Sequence, residues 1–281
     1  MRMEARRSPY DGSMPDEQPS AALLWPIYGR HAAAVLRHGP RPVAAQGPGW
    51  SLALSGAGHV DLNQVALYAG ANPGAVREVV GQAVASEVPI LLGVSRGLAI
   101  AVDGILAAAG FLRSPSEEAL FWAPTASPPT DTRFEARRAT SPVDLAGIAR
   151  IFGAVHDYEP ELVESMYGQA VQDDPAIEAW LALDGDDPVS CAFVTHVERT
   201  LGLFDVMTPP RHRRRGAARA LIDAALGSAA ATQPGGIEGI VFWASPAGRP
   251  LYESLGFGIA DLVSVWTLGA SPEDLAAVGA G

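Results

Sequence analysis

The chain has 281 residues, of which 48% are hydrophobic and 18% charged, and a formal net charge of -11. That is enough for one large domain or two ordinary ones, and the single cysteine, Cys191, excludes an intramolecular disulfide framework and suits a reducing cytoplasm. The acidic excess argues against nucleic acid as a general partner, and no run approaches the roughly 18 apolar residues of a membrane span. Residues 1–20 have no apolar stretch after their charges, so they read as a disordered tail, not a secretory signal.

In the first half, His59–Gly70 (HVDLNQVALYAG) reads as a strand. Asn72–Glu87 reads as a helix with Asn72 as N-cap, Val88–Ser95 as a strand, Ile100–Phe111 as a helix ending in Gly110-Phe111, and Glu118–Ala123 as a strand. The Pro/Ser/Thr-rich run at 123–132 is a linker or crossing loop, which divides the chain into 21–122 and 133–270, with a tail at 271–281.

The second half opens on a strand, Phe134–Thr140. A helix follows, with Ser141 as N-cap and Pro142 at its first position. A second helix covers Pro160–Val171, and two strands flank the turn signal Asp184–Pro188. Thr200–Thr208 is a strand stopped by Pro209-Pro210, and a helix runs from Ala217 to about Leu226. Strand Gly239–Ser245, short helix Arg249–Leu255, Gly256-Phe257 and strand Leu262–Leu268 close the pattern. The order predicts a mixed α/β sheet. A βαβα-Gly-Phe-β unit occurs in both halves, which points to duplication.

All 20 basic side chains are arginine, and five basic residues, Arg211, His212, Arg213, Arg214 and Arg215, stand together before Gly216, Ala217 and Ala218. A strand, a basic loop and then a helix start form anion-binding geometry. The first amides of a helix lack internal partners, and the macrodipole adds partial positive charge there. Small residues let an anion approach the backbone. The bland alternatives are a solvated turn or a nucleic-acid patch.

The spacing Arg213-x-x-Gly216-x-Ala218 resembles the Arg/Gln-x-x-Gly-x-Gly/Ala signature of the GNAT superfamily of acyl-CoA-dependent N-acetyltransferases. Arg249–Phe257 (RPLYESLGF) resembles the superfamily's second signature, a helix with tyrosine shortly before Gly-Phe. Phe134–Ala149 resembles its opening strand and helix. The resemblance covers 133 to about 269 and implies a GNAT fold, with two tandem GNAT-like domains, the first degenerate. The N-terminal copy lacks the basic loop, and Leu106 stands where Tyr252 stands in the second copy.

The resemblance implies acetyl-CoA as co-substrate, no metal, and direct acetyl transfer to a primary amine in a ternary complex. It implies coenzyme contacts from Val206, Met207 and Thr208, whose amides would hold the pantetheine arm and polarise the thioester. The loop and helix start, Arg211, Arg213, Arg214, Arg215, Gly216, Ala217, Ala218 and Arg219, would hold the phosphates. Ser245 stands where asparagine is common, which puts its contact in doubt. Tyr252 is at the position of the usual general acid. The general base stays open among Glu198, Asp205, His196, the His156–Glu161 loop and a water chain. The acceptor is a small-molecule amine or a peptide, the acidic balance favours a cationic one, and a homodimer stays open. Two other readings remain: a non-catalytic acyl-CoA-binding protein, and a nucleic-acid module built on Arg211–Arg215. Trp180, Trp243, Trp266 and Cys191 lie in apolar strand patterns and read as core.

Overall fold

The computed structural model describes residues 19–125, 132–156, 158–233 and 235–270. The predicted tail at 271–281, the predicted tail at 1–20 save Pro19 and Ser20, and most of the 123–132 linker lie outside them.

The chain begins with helix α1 (Ala21–Leu36), which the hydrophobic spacing does not announce. It contains Pro26 and buries side chains around most of its circumference, so it carries no single apolar stripe. A hairpin follows, β1 (Val43–Gly47) and β2 (Trp50–Leu54), turned by Pro48-Gly49 with Gly49 at φ +78°. The predicted strand from His59 starts later: Val60–Leu62 is a 3-10 turn, and β3 covers Asn63–Leu67. Asn63 fixes this turn, its amide donating to the Ala57 and His59 carbonyls at 2.9 Å each.

Helix α2 (Pro73–Ala85) starts as the sequence predicts, with the Asn72 side chain accepting from the Ala75 amide at 3.0 Å. Then come β4 (Ile90–Ser95), α3 (Ala99–Ala108) and β5 (Leu112–Ala123), the last twice as long as its apolar core suggests. The second half supplies β6 (Glu135–Arg138), α4 (Pro142–His156), α5 (Pro160–Tyr167) and the single turn α6 (Gln169–Gln172). After these come β7 (Ile177–Asp184), β8 (Asp187–Val197), β9 (Thr200–Met207), α7 (Ala217–Thr232), β10 (Gly239–Ala244), α8 (Arg249–Ser254) and β11 (Gly258–Leu268).

The eleven strands of the described residues form one mixed sheet in the order β1-β2-β3-β4-β11-β5-β10-β9-β8-β7-β6. The repeat seen in the sequence is present: β3-α2-β4-α3-β5 and β9-α7-β10-α8-β11 each pair their first two strands in parallel. Each repeat gives its last strand to the other. Strand β11 lies antiparallel on β4, β5 lies antiparallel on β10, and β5 and β11 pair together at the centre. The boundary at the linker is thus one of sequence, while in space the two halves are interleaved.

Two apolar layers cover the sheet. On one face, α2 and α3 pack over the first half around Leu67, Val79, Leu92 and Leu106, and α7 and α8 over the second around Phe121, Leu221, Ile240 and Phe242. On the other face, α1, α4 and α5 share a core of Trp25, Phe152, Tyr167, Phe193 and Val263. Trp180, Trp266 and Cys191 are buried as expected.

Helix α1 reaches from the first half onto the second through His31. Its Nδ1 is 2.7 Å from Thr195 Oγ1 and its Nε2 is 2.9 Å from Thr200 Oγ1. The Thr200 hydroxyl donates to the Val197 carbonyl, so Oγ1 is left to accept, which assigns the proton to Nε2. Gly202 makes this approach feasible: a Cβ there would lie 2.4 Å from Thr195 Oγ1 and 2.8 Å from the imidazole.

Candidate active site

Strands β9 and β10 run parallel only where Thr200–Gly202 faces Gly239–Val241. Beyond that register they diverge, leaving Leu203–Met207 and Phe242–Ala244 as the arms of a V. Strand β9 also bulges against β8: Phe193 faces Phe204 while Cys191 faces Met207, so β9 carries an extra residue. The bulge turns on Asp205, whose φ is +49°. Ser190 holds the far end, its hydroxyl donating to the Met207 carbonyl at 2.8 Å and lying 2.9 Å from Thr208 Oγ1. The side of Val206, Met207 and Thr208 that faces away from β8 therefore borders the V.

The basic loop leaves this point. Pro210–His212 form a 3-10 turn, and Arg213 folds back to donate from Nε to the Thr208 carbonyl at 3.0 Å. Arg214 (φ +62°) and Gly216 (φ +91°) take left-handed conformations that aim the chain into α7. Gly216 is the N-cap of α7 and no side chain caps that end. A Cβ on Gly216 would meet nothing within 4 Å, so the glycine serves its φ angle and keeps the space over the Ala217 and Ala218 amides open.

The basic residues divide into structural and outward-facing groups. Arg215 pairs with Asp184 at 3.0 Å. Arg219 donates to the Ser254 carbonyl at 3.1 Å and hydroxyl at 2.5 Å, tying α7 to α8. Arg211 donates to His212, which lies 3.7 Å from Asp187. Among the described residues Arg211 and Arg214 make no ion pair, and both are exposed. The Ser245 carbonyl accepts from the Gly248 amide at 3.2 Å, shaping the turn into α8.

Tyr252 is buried with its ring against Phe242 (4.6 Å), Phe121 (5.5 Å) and Phe257 (6.3 Å). Burial pushes its phenol well above the usual value, so it stays protonated and can donate. Phe121 belongs to β5, so the first half furnishes part of this tyrosine's pocket.

The base candidates separate by position. Glu198 and His196 sit at the end of β9 away from the V, beside Thr200. Glu198 is exposed and 3.5 Å from Arg30, and His196 is engaged by Gln233 and Glu178. Asp205 stands at the bulge. Burial lifts its carboxyl to about 6, the Tyr167 hydroxyl pulling it down and the charge of Asp61 pushing it up. In the His156–Glu161 loop, Tyr158 Oη is 3.0 Å from His59 Nδ1, and His59 and His156 lie 3.7 and 3.9 Å from Asp61.

Three residues near the V carry no sequence signature: Asp61, Glu118 and Trp243. Glu118, in β5, is 8% exposed, and burial followed by the charge of Asp61 lifts its carboxyl to about 7. The only hint in the sequence was an acid inside an apolar strand. Trp243 read as core, but it is half-buried and faces Trp25 (6.1 Å) and Tyr28 (5.9 Å) on the α1 side.

Residues 175–259, from the approach to β7 through the start of β11, match the acetyltransferase (GNAT) domain family. No curated protein matches the chain in sequence. Among solved structures, the chain is similar to a GCN5-related N-acetyltransferase from Kribbella flavida at 22% identity and TM-score 0.59, covering 87% of this chain and 96% of that one. A GCN5-related N-acetyltransferase from Sphaerobacter thermophilus aligns at 14% identity and TM-score 0.54, over 91% and 96%. A tandem GNAT protein from the clavulanic acid biosynthesis pathway aligns at 14% identity and TM-score 0.52, over 90% and 96%. At these identities the structural likeness is one of fold, and the domain match covers residues 175–259 alone.

Proposed function

We propose that the protein transfers an acetyl group from acetyl-CoA to a primary amine, in a ternary complex at the V between β9 and β10. The observation that carries this is the continuous path from the bulged, splayed end of β9 through Gly216 to the uncapped start of α7. Open amides over a left-handed glycine suit a pyrophosphate, and free strand backbone suits an amide-containing arm. The thioester brings an activated acyl group whose leaving thiolate is a good proton acceptor.

The chain's residues then divide the work. Amides at Val206–Thr208 bind the arm and polarise the carbonyl. Gly216, Ala217, Ala218 and the loop backbone hold the diphosphate, while Arg211 and Arg214 supply charge for a further phosphate. Arg213, Arg215 and Arg219 brace the loop through the contacts described. Asp205 takes the ammonium proton, and Tyr252 donates to the departing sulfur. The first half acts as a degenerate copy, without a basic loop of its own.

Titration calorimetry with acetyl-CoA and free coenzyme A tests the reading. Binding below millimolar concentration by the wild type, lost in Gly216→Glu with the fold retained, is the expected result. Absence of binding by the wild type would sink the proposal, and binding without thiol release across an amine panel would favour a non-catalytic acyl-CoA-binding protein.

A further inference from the structure

The first half carries an apolar groove on the outer side of its helix layer. Strands β3, β4 and β5 run in one direction, since β3 is parallel to β4 and both β4 and β5 are antiparallel to β11. Helices α2 and α3 return the chain between them and so lie side by side with their N-terminal ends together. Between them is an open groove of about 890 Å³, walled by Val80, Gly81 and Val84 of α2 and by Gly104, Ile105 and Ala108 of α3. A Cβ on Gly81 or Gly104 would meet nothing within 4 Å, so neither glycine serves a contact inside the protomer, although each weakens its helix relative to alanine. In the second half α7 and α8 are tied by Arg219 and Ser254. Among the described residues no hydrogen bond or ion pair joins α2 to α3.

Apolar side chains around the groove face water. Ile100, four residues before Gly104, is 94% exposed, and Val84 near the end of α2 is 42% exposed. Helix α3 is apolar on every side except at Asp103, which lies 3.6 Å from Arg113; such a helix is ordinarily covered all round. Arg77 is the single charge on the groove's lining. It is exposed, donates to the Pro73 carbonyl at 3.3 Å and makes no ion pair among the described residues. In the second turn of α2 it also stands near the positive end of its own helix. A chain with a net charge of -11 repels a copy of itself over much of its surface. This face, with one cation and no anion on its lining, does not.

We propose that the protein is a two-fold dimer joined through the α2–α3 face of its first half. An axis through the middle of the groove, level with Gly81 and Gly104, sets the N-terminal ends of one copy's helices over the C-terminal ends of the other's. Ile100 then lies over the far end of the partner's groove, where Val84 offers apolar surface and Ala108 leaves space for it. Arg77 comes to the same end, where the last carbonyls of the helices carry partial negative charge. Glu87, exposed and without an ion pair among the described residues, adds a full negative charge there. Each copy gives and receives the same contacts, as a closed two-fold interface requires, and the glycines near the axis let the two layers approach closely. The arrangement gives the degenerate half a role of its own, and it holds whether or not the second half transfers acetyl groups.

Sedimentation velocity of the full chain, between about 1 and 100 µM, tests the proposal. The wild type should sediment as a dimer over the upper part of that range. Ile100→Glu sets two carboxylates into the interface without touching the packing of the protomer, and should weaken dimerisation at least about tenfold. Gly104→Glu, next to the axis, should do the same. Val143→Glu, at an exposed position of α4 on the opposite face of the sheet, should leave the dimer intact. Circular dichroism reports the fold of each variant, and Ile100→Glu decides the matter if Gly104→Glu does not fold. A wild type that stays monomeric at every concentration overturns the proposal, and so does a dimer that survives both variants. A monomer that binds decanoate, with the binding lost in Gly104→Glu, would assign the groove to an amphiphilic carboxylate and overturn it equally.

Discussion

A single imidazole shows how much one residue can hold. His31 is buried and neutral between two threonines, and burial together with the Arg30 charge drives its pKa down to about 3. In the unfolded chain it would titrate near 6.5. The unfolded state therefore binds a proton that the folded state refuses, and stability falls as pH drops below about 6.5, until the folded imidazole also titrates near 3. The expected slope is up to about 1.4 kcal/mol per pH unit from this group. Denaturant melts between pH 7 and 4 should show it, and His31→Gln should flatten the acid limb; an unchanged limb would refute the assignment. Asp205 predicts a separate effect on activity. If it is the base, kcat/KM rises through a pKa near 6 and the limb disappears in Asp205→Asn. Tyr252→Phe removes a hydroxyl that makes no hydrogen bond among the described residues, so thermal stability should hold within a few tenths of a kcal/mol. Turnover should fall on the order of a hundredfold if that hydroxyl protonates the thiolate. A stable variant with full activity would leave Tyr252 as packing alone.

Among the elements, helix α4 illustrates a start written in the sequence and strengthened by structure. Ser141 caps it as expected, while Asp144 closes the box by accepting from the Thr140 and Ser141 amides at 3.0 Å each and from Ser141 Oγ at 2.8 Å. Arg137 donates to the same carboxylate at 2.7 Å, and these bonds hold the Asp144 carboxyl well below the usual range. Asp144→Ala should cost about 2 kcal/mol by equilibrium unfolding at neutral pH. A loss under half a kcal/mol would show that the box is dispensable. Elements with local signals were legible in this way: Asn72 before α2, Pro209-Pro210 after β9, Gly216 before α7. Helix α1 was not, because it is buried on several sides and interrupted by Pro26, so no period survives. The glycine-capped basic loop was legible because Arg213, Gly216 and Ala218 stand within six residues of one another in sequence. The grouping of Asp61, Glu118 and Asp205 was not, although Asp205 was singled out as a base candidate, because the three come from separate segments that only the topology assembles.

For the whole molecule, the strand exchange decides what can exist alone. Hydrophobic patterning reported β5 and β11 as strands but could not say which partner each would take, since either choice buries the same faces. In the exchanged arrangement the second half by itself lacks β5, and with it both the antiparallel partner of β10 and the Phe121 side of the Tyr252 pocket. Residues 132–281 expressed alone should therefore form strand-exchanged dimers or aggregates and bind coenzyme A at least tenfold more weakly than the full chain, as read by size-exclusion chromatography and calorimetry. A monomeric fragment with full affinity would show that the halves are independent.

The same exchange sets an order of events during synthesis. Strand β11 is the last strand made among the described residues, yet its place is in the middle of the sheet, between β4 and β5. Until it leaves the ribosome, the first half carries two open strand edges that face each other and must not close. Nascent chains should thus wait in a chaperone-dependent, protease-sensitive state that resolves only once Gly258–Leu268 has emerged, and a stop codon shortly before Gly258 should be as damaging to the first half as to the second.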